Sequence, residues 1–210
     1  MRKVLIFGDS YSTFNGYIPD GYATYYPKLN VNSVGETWWK QLLQKMNGNL
    51  LENNSWSGST ISYTGWNNQD SSKTSSFICR YRQLKDNGFF VRNKVDTLFV
   101  FGGTNDSWCG APLGEMQFSD WEEQDLFSVL PAICYFAQTL KNDLPNTEII
   151  FILNTNLKEE IQTCMEEVSK RYGVKLVRLL DIDKECAHPT KQGMRQIASQ
   201  VFETISTREE

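Results

Sequence analysis

Thr97-Leu98-Phe99-Val100-Phe101-Gly102-Gly103-Thr104-Asn105-Asp106 passes from five uncharged, strand-forming residues straight into a glycine-led polar turn. Val and Phe suit a pleated backbone, and an apolar run without polar alternation reads as a strand covered on both faces. The same grammar opens the chain, where Val4-Leu5-Ile6-Phe7 runs into Gly8-Asp9-Ser10. A weaker strand at 50–54 leads into Asn54-Ser55-Trp56-Ser57-Gly58-Ser59-Thr60, and further strands are predicted at 148–153 and 174–180.

Helical patterns separate these runs. An amphipathic stretch covers 37–43, with Trp38 and Trp39 placed on the sheet, and a short helix is predicted at 77–84. Leu126, Val129, Leu130, Ile133, Phe136 and Leu140 repeat at helical spacing within 120–141, where Pro131 is a candidate kink. The helix at 159–172 ends at Gly173, a C-cap signal. Thr190 can N-cap a last helix that buries Met194, Ile197, Val201 and Ile205. Strands alternating with helices predict an α/β fold. The expected arrangement is a single three-layer α/β/α domain over 1–210, built on a five-stranded, mostly parallel, flavodoxin-like sheet. There is no internal repeat, low-complexity segment or linker. An aromatic-rich insertion at about 11–35 carries Tyr11, Phe14, Tyr17, Tyr22, Tyr25 and Tyr26 without helical spacing.

Composition removes several functional classes. With 21 Lys and Arg against 25 Asp and Glu, the net charge of −4 opposes a nucleic-acid footprint, and no basic cluster suits an anionic membrane. The first apolar run is too short for a secretory signal, and no stretch approaches a transmembrane helix. Five widely spaced cysteines (Cys79, Cys109, Cys134, Cys164, Cys186) with no Cys-x-x-Cys pair point to reduced thiols and a cytoplasmic location. One histidine and no cysteine pair argue against a zinc site.

That histidine, His188, opens His188-Pro189-Thr190-Lys191-Gln192-Gly193. A serine hydroxyl needs a base to act as a nucleophile at neutral pH, and imidazole is suited to the task. Singly, Gly8-Asp9-Ser10 is a turn, Ser57-Gly58-Ser59 is a turn, and Asn105-Asp106 is an Asx-turn. Together each sits where a strand ends, and open parallel sheets bind ligands outside those carboxyl ends.

These four blocks, in this order, resemble the SGNH hydrolase superfamily, also called GDSL esterases and lipases. Gly8-Asp9-Ser10 resembles its nucleophile block, and Gly58 falls in a segment like its glycine block. Gly103-Thr104-Asn105-Asp106 resembles its Gly-x-Asn-Asp block, and His188-Pro189 its histidine block. The resemblance implies acyl transfer with Ser10 as nucleophile and His188 as base. It implies an oxyanion hole made by the Ser10 and Gly58 amides and the Asn105 side chain. The family usually has an aspartate three residues before its histidine, whereas this chain has Glu185. Asp183 and a backbone carbonyl are the alternatives for orienting the imidazole. Asp9, Tyr11, Trp56 and Trp108 are candidates for substrate contact. The implied partner is a small or soluble ester, with an O-acetylated sugar among the candidates, and with no cofactor, metal, nucleic acid or membrane. A thioesterase or lysophospholipase using the same residues is the alternative enzyme. A non-catalytic flavodoxin-like module holding a phosphate at Gly8-Asp9-Ser10 is the alternative of another class.

Overall fold

The computed structural model describes residues 1–207. The chain runs β1 (Arg2–Gly8), α1 (Trp38–Lys45), β2 (Gly48–Ser55), α2 (Phe77–Asp86), α3 (Phe89–Arg92), β3 (Thr97–Phe101) and α4 (Thr104–Trp108). It continues through α5 (Val129–Asp143), β4 (Glu148–Leu153), α6 (Glu159–Tyr172) and β5 (Lys175–Arg178). A small pair, β6 (Lys184–Glu185) and β7 (His188–Pro189), precedes α7 (Lys191–Ser206).

Five strands form one sheet in the order β2-β1-β3-β4-β5, and all four pairings are parallel. This is the flavodoxin-like order, in which the chain reverses direction across the sheet between β1 and β3. Successive side chains of a strand point to opposite faces, and both faces here are covered. Val4, Ile6, Phe99 and Phe101 pack with Trp38 and Trp39 of α1 and Met194 and Ile197 of α7. Leu5, Phe7, Leu98 and Val100 pack with Phe77 of α2, Phe136 of α5 and Ile161 of α6. That two-sided burial is why the central strands are unbroken apolar runs.

The helix termini follow local chemistry. Thr190 accepts from the Gly193 amide at 3.2 Å to start α7, and Gly173 ends α6 with φ of +62°. The last helix buries Met194, Ile197 and Val201, while Ile205 is only partly covered.

The expected helix over 120–141 needs correction. Asp125–Phe127 is a separate 3-10 turn, and Ser128 is extended before α5 begins at Val129. Pro131 is therefore the third residue of the helix. There an amide would have no intrahelical acceptor, so the proline neither kinks nor splits the helix. Among the described residues no helix is long and apolar enough to cross a membrane.

Candidate active site

β1 and β3 deliver their loops to the same edge of the sheet, at the reversal of strand order, so Ser10 and Asn105 emerge side by side. Gly8 makes the turn into Ser10 possible. A Cβ there would lie 2.5 Å from Ser12 Cβ and 2.6 Å from Ser55 Oγ. Asp9 then caps the short turn Ser10–Ser12, its Oδ1 accepting the Tyr11 amide at 3.0 Å. The carboxyl is wholly buried, and its Oδ2 accepts no hydrogen bond among the described residues. Burial pushes its pKa up to about 7, against the pull of the Tyr11 amide.

His188 reaches Ser10 from the opposite end of the chain. Its Nε2 lies 3.0 Å from Ser10 Oγ, and its Nδ1 lies 3.0 Å from the carbonyl oxygen of Cys186. A carbonyl can only accept, so that contact assigns the imidazole proton to Nδ1 and leaves Nε2 as an acceptor for the serine hydroxyl. Burial, with the nearby Lys28 and Lys184 charges, lowers the His188 pKa below 6.5 against the Cys186 hydrogen bond, favouring the neutral base.

The hairpin β6–β7 holds this arrangement. Its two turn residues, Cys186 and Ala187, have φ of +47° and +64°, the sign pattern of a type I′ turn without its usual glycine. The aromatic insertion secures it. Tyr11 donates its hydroxyl to the Ala187 carbonyl, and Tyr26 donates to the Pro189 carbonyl at 2.6 Å. The Tyr25 ring stacks on the imidazole with centroids 3.7 Å apart and planes 7° from parallel. Thus the carbonyls on both sides of His188 and one face of its ring are held by tyrosines of one segment.

The carboxylates anticipated for the third position lie elsewhere. Glu185 is exposed and makes no side-chain hydrogen bond among the described residues. Asp183 accepts from the hydroxyl of Thr190, which ties the hairpin to the start of α7. Of the three alternatives, it is the backbone carbonyl that meets Nδ1, because the tight turn folds Cys186 back beneath the ring.

The other half of the site is built by three buried polar side chains. Asp106 accepts the amides of Ile61 at 2.9 Å and Ser62 at 3.0 Å, binding the Asn105 block to the glycine block. Asn105 donates from Nδ2 to the Ser59 carbonyl at 3.0 Å. Gly58 stands at φ of +81°, a conformation that L side chains rarely adopt, and no described acceptor takes its amide hydrogen. Beneath them Arg80 of α2 is fully buried with no carboxylate at ion-pair distance among the described residues. Its guanidinium donates to the Gly8 carbonyl at 3.3 Å, to Asn54 Oδ1 at 2.9 Å, to Ser59 Oγ at 3.1 Å and to the Ser75 carbonyl at 2.9 Å. Burial lowers its pKa to about 10.

Four residues were anticipated at the substrate, and the structure divides them. Asp9 and Tyr11 are wholly buried, supporting the turn and the hairpin from inside. Trp56 is half-buried and stacks on Tyr22 with centroids 4.3 Å apart, and Trp108 is exposed. Sequence reasoning missed the roles of Tyr25, Tyr26 and Arg80, and named a backbone carbonyl without saying that it is that of Cys186. The density of tyrosines at 11–35 was the visible signal for the first two. An arginine flanked by the apolar positions Phe77, Ile78, Tyr81 and Leu84 was the signal for the third, although Arg82 in the same stretch makes it a weak one.

A doubly wound α/β domain with a serine, a histidine, a glycine and an asparagine block at one sheet edge has the architecture of the SGNH-type ester hydrolases. Residues 2–205 match the family model described as GDSL-like lipase/acylhydrolase. The chain belongs to that family, which supports an ester hydrolase. Two solved structures described as GDSL-like lipases superpose with TM-scores of 0.90. The one from Bacteroides uniformis is 43% identical, covering 98% of this chain and 95% of its own, and the one from Bacteroides ovatus is 38% identical, covering 98% of each. A family two carbohydrate esterase from Clostridium thermocellum, solved with cellohexaose, shares the fold at 17% identity and a TM-score of 0.67. The match covers 97% of this chain and 63% of that one. A search of curated proteins gave no match.

Proposed function

We propose that the protein is a serine-dependent acyl-ester hydrolase working through a Ser10–His188 pair oriented by the Cys186 carbonyl. The observation that carries this reading is the 3.0 Å approach of His188 Nε2 to Ser10 Oγ, with Nδ1 committed to a carbonyl. Ser10 Oγ attacks the ester carbonyl carbon while Nε2 takes its proton. Negative charge develops on the former carbonyl oxygen, facing the Ser10 and Gly58 amides and Asn105 Nδ2. Each such donor is worth about 2.7–4 kcal/mol of transition-state stabilisation. Collapse expels the alcohol, protonated by the imidazolium. Water, deprotonated by the same nitrogen, then cleaves the acyl-serine to release the acid.

The substrate is a small or soluble ester, and an O-acetylated carbohydrate fits the surroundings best. Exposed indoles at Trp66 and Trp108 and the Tyr22–Trp56 stack offer flat apolar faces beside polar groups, which suit a sugar ring. A carbohydrate esterase that shares the fold was solved in complex with cellohexaose, which supports this reading. Turnover of short-chain nitrophenyl esters and of acetylated monosaccharides tests the reading. Activity on both, abolished by Ser10→Ala without loss of the folded state, is expected. Full activity in that variant overturns it.

A further inference from the structure

The oxyanion assignment for Asn105 leaves a problem, because an amide side chain presents either its oxygen or its nitrogen after a half-turn about χ2. The two ends are of nearly equal size and opposite polarity. A flipped Asn105 would aim a carbonyl oxygen at a developing negative charge. Something must decide the orientation, and it lies outside the four family blocks.

We propose that Trp66 is a positioning residue that locks the Asn105 amide with its nitrogen towards the reacting ester, a role that rests on Asn105 being an oxyanion donor. Trp66 Nε1 donates to Asn105 Oδ1 at 3.1 Å, and an indole N–H can only donate. On the other side, the Ser59 carbonyl can only accept, and it takes one hydrogen of Nδ2 at 3.0 Å. A donor on one end and an acceptor on the other make the flipped state unfavourable at both contacts together. The second hydrogen of Nδ2 is uncommitted among the described residues. A hydrogen bond received at Oδ1 also polarises the amide and strengthens its N–H as a donor.

Trp66 can do this because its loop is rigid. Thr64 and Asp70 form an antiparallel bridge, and the Gly65 amide donates to the Gln69 carbonyl at 2.8 Å. Asn67 and Asn68 both take positive φ to close the turn. Thr64 Oγ1 ties the loop to the Phe127 carbonyl at 2.7 Å. The indole also borders the space beside Gly58, since a Cβ there would stand 3.9 Å from Trp66 Cδ1. One side chain, 44% exposed, thus bonds the asparagine block and lies beside the glycine block, both of which the mechanism assigns to the oxyanion.

A double-mutant cycle on a short-chain ester tests the role. Trp66→Phe keeps an aromatic ring at the position and removes the N–H together with part of the indole. It should lower kcat about tenfold, as expected for one lost orienting hydrogen bond, with KM within about twofold. Asn105→Ala alone should lower kcat by about 10²-fold or more. In the Asn105→Ala background Trp66→Phe should have no further effect, because there is no amide left to orient. A thermal melt accompanies each variant, and Trp66→Leu gives a second side chain with no donor at that position should the first fail to fold. Unchanged kcat in the Trp66 variants, or losses that multiply independently of Asn105, would overturn the proposal. No loss in Asn105→Ala would instead remove the oxyanion assignment beneath it, and the two failures are distinct.

Discussion

At the scale of single residues, the partners of one imidazole explain what the site can do. His188 Nδ1 is held by a carbonyl, which fixes the tautomer but carries no negative charge to stabilise the imidazolium that the proposed mechanism forms. The His188 pKa, lowered by burial, sets the pH dependence. The base acts when neutral, so kcat/KM should rise with pH through a midpoint below the ordinary imidazole value, as a pH–rate profile will show. A midpoint above 7 would require an anionic partner on the ring. Glu185 is exposed and unbonded, so Glu185→Gln should keep kcat within about twofold of the parent. Loss of a true triad acid costs about 10⁴-fold. Ser10 and His188 were legible in the sequence because only one histidine exists and a Gly-Asp-Ser turn follows a strand. The orienting group was not, because every residue has a carbonyl and only the turn geometry selects that of Cys186.

Elements explain how partners 178 residues apart meet within 3.0 Å. β1 and β3 lie side by side and place the Ser10 and Asn105 turns together. The hairpin β6–β7 returns His188 over them, clamped by tyrosines of the insertion. Alternation of apolar and helical segments made the five strands readable. The start of α5 was misplaced because the apolar spacing continued upstream into a 3-10 turn. The hairpin was hidden because each of its strands has two residues and its turn lacks Asn-Gly. Arg80 of α2 is the cross-brace between the ends of β1 and β2 and the glycine block. Arg80→Ala strands several buried carbonyls at once and should cost about 3–5 kcal/mol. For a domain of this size that lowers Tm by about 10 °C, measurable by calorimetry. A melt unchanged within about 2 °C would show that the guanidinium is dispensable.

Across the whole molecule, strand order converts sequence order into an active edge. The serine, glycine and asparagine blocks converge because every strand of a parallel sheet points its carboxyl end the same way, and the β6–β7 hairpin brings the histidine block to them. The aromatic insertion does two jobs, bracing the histidine from within through Tyr11 and Tyr26 and stacking Tyr22 on Trp56 beside the glycine block. Its composition was evident in the sequence, but its division between support and surface depends on burial. The central claim is that Ser10 is a nucleophile activated by His188, and a fluorophosphonate tests it most directly, since it phosphonylates only an activated serine. Intact-mass and peptide analysis should show one adduct, on Ser10, absent in Ser10→Ala and formed about 10²-fold or more slowly in His188→Gln. An adduct on another residue, undiminished labelling of Ser10→Ala, or an unlabelled parent protein would contradict the account.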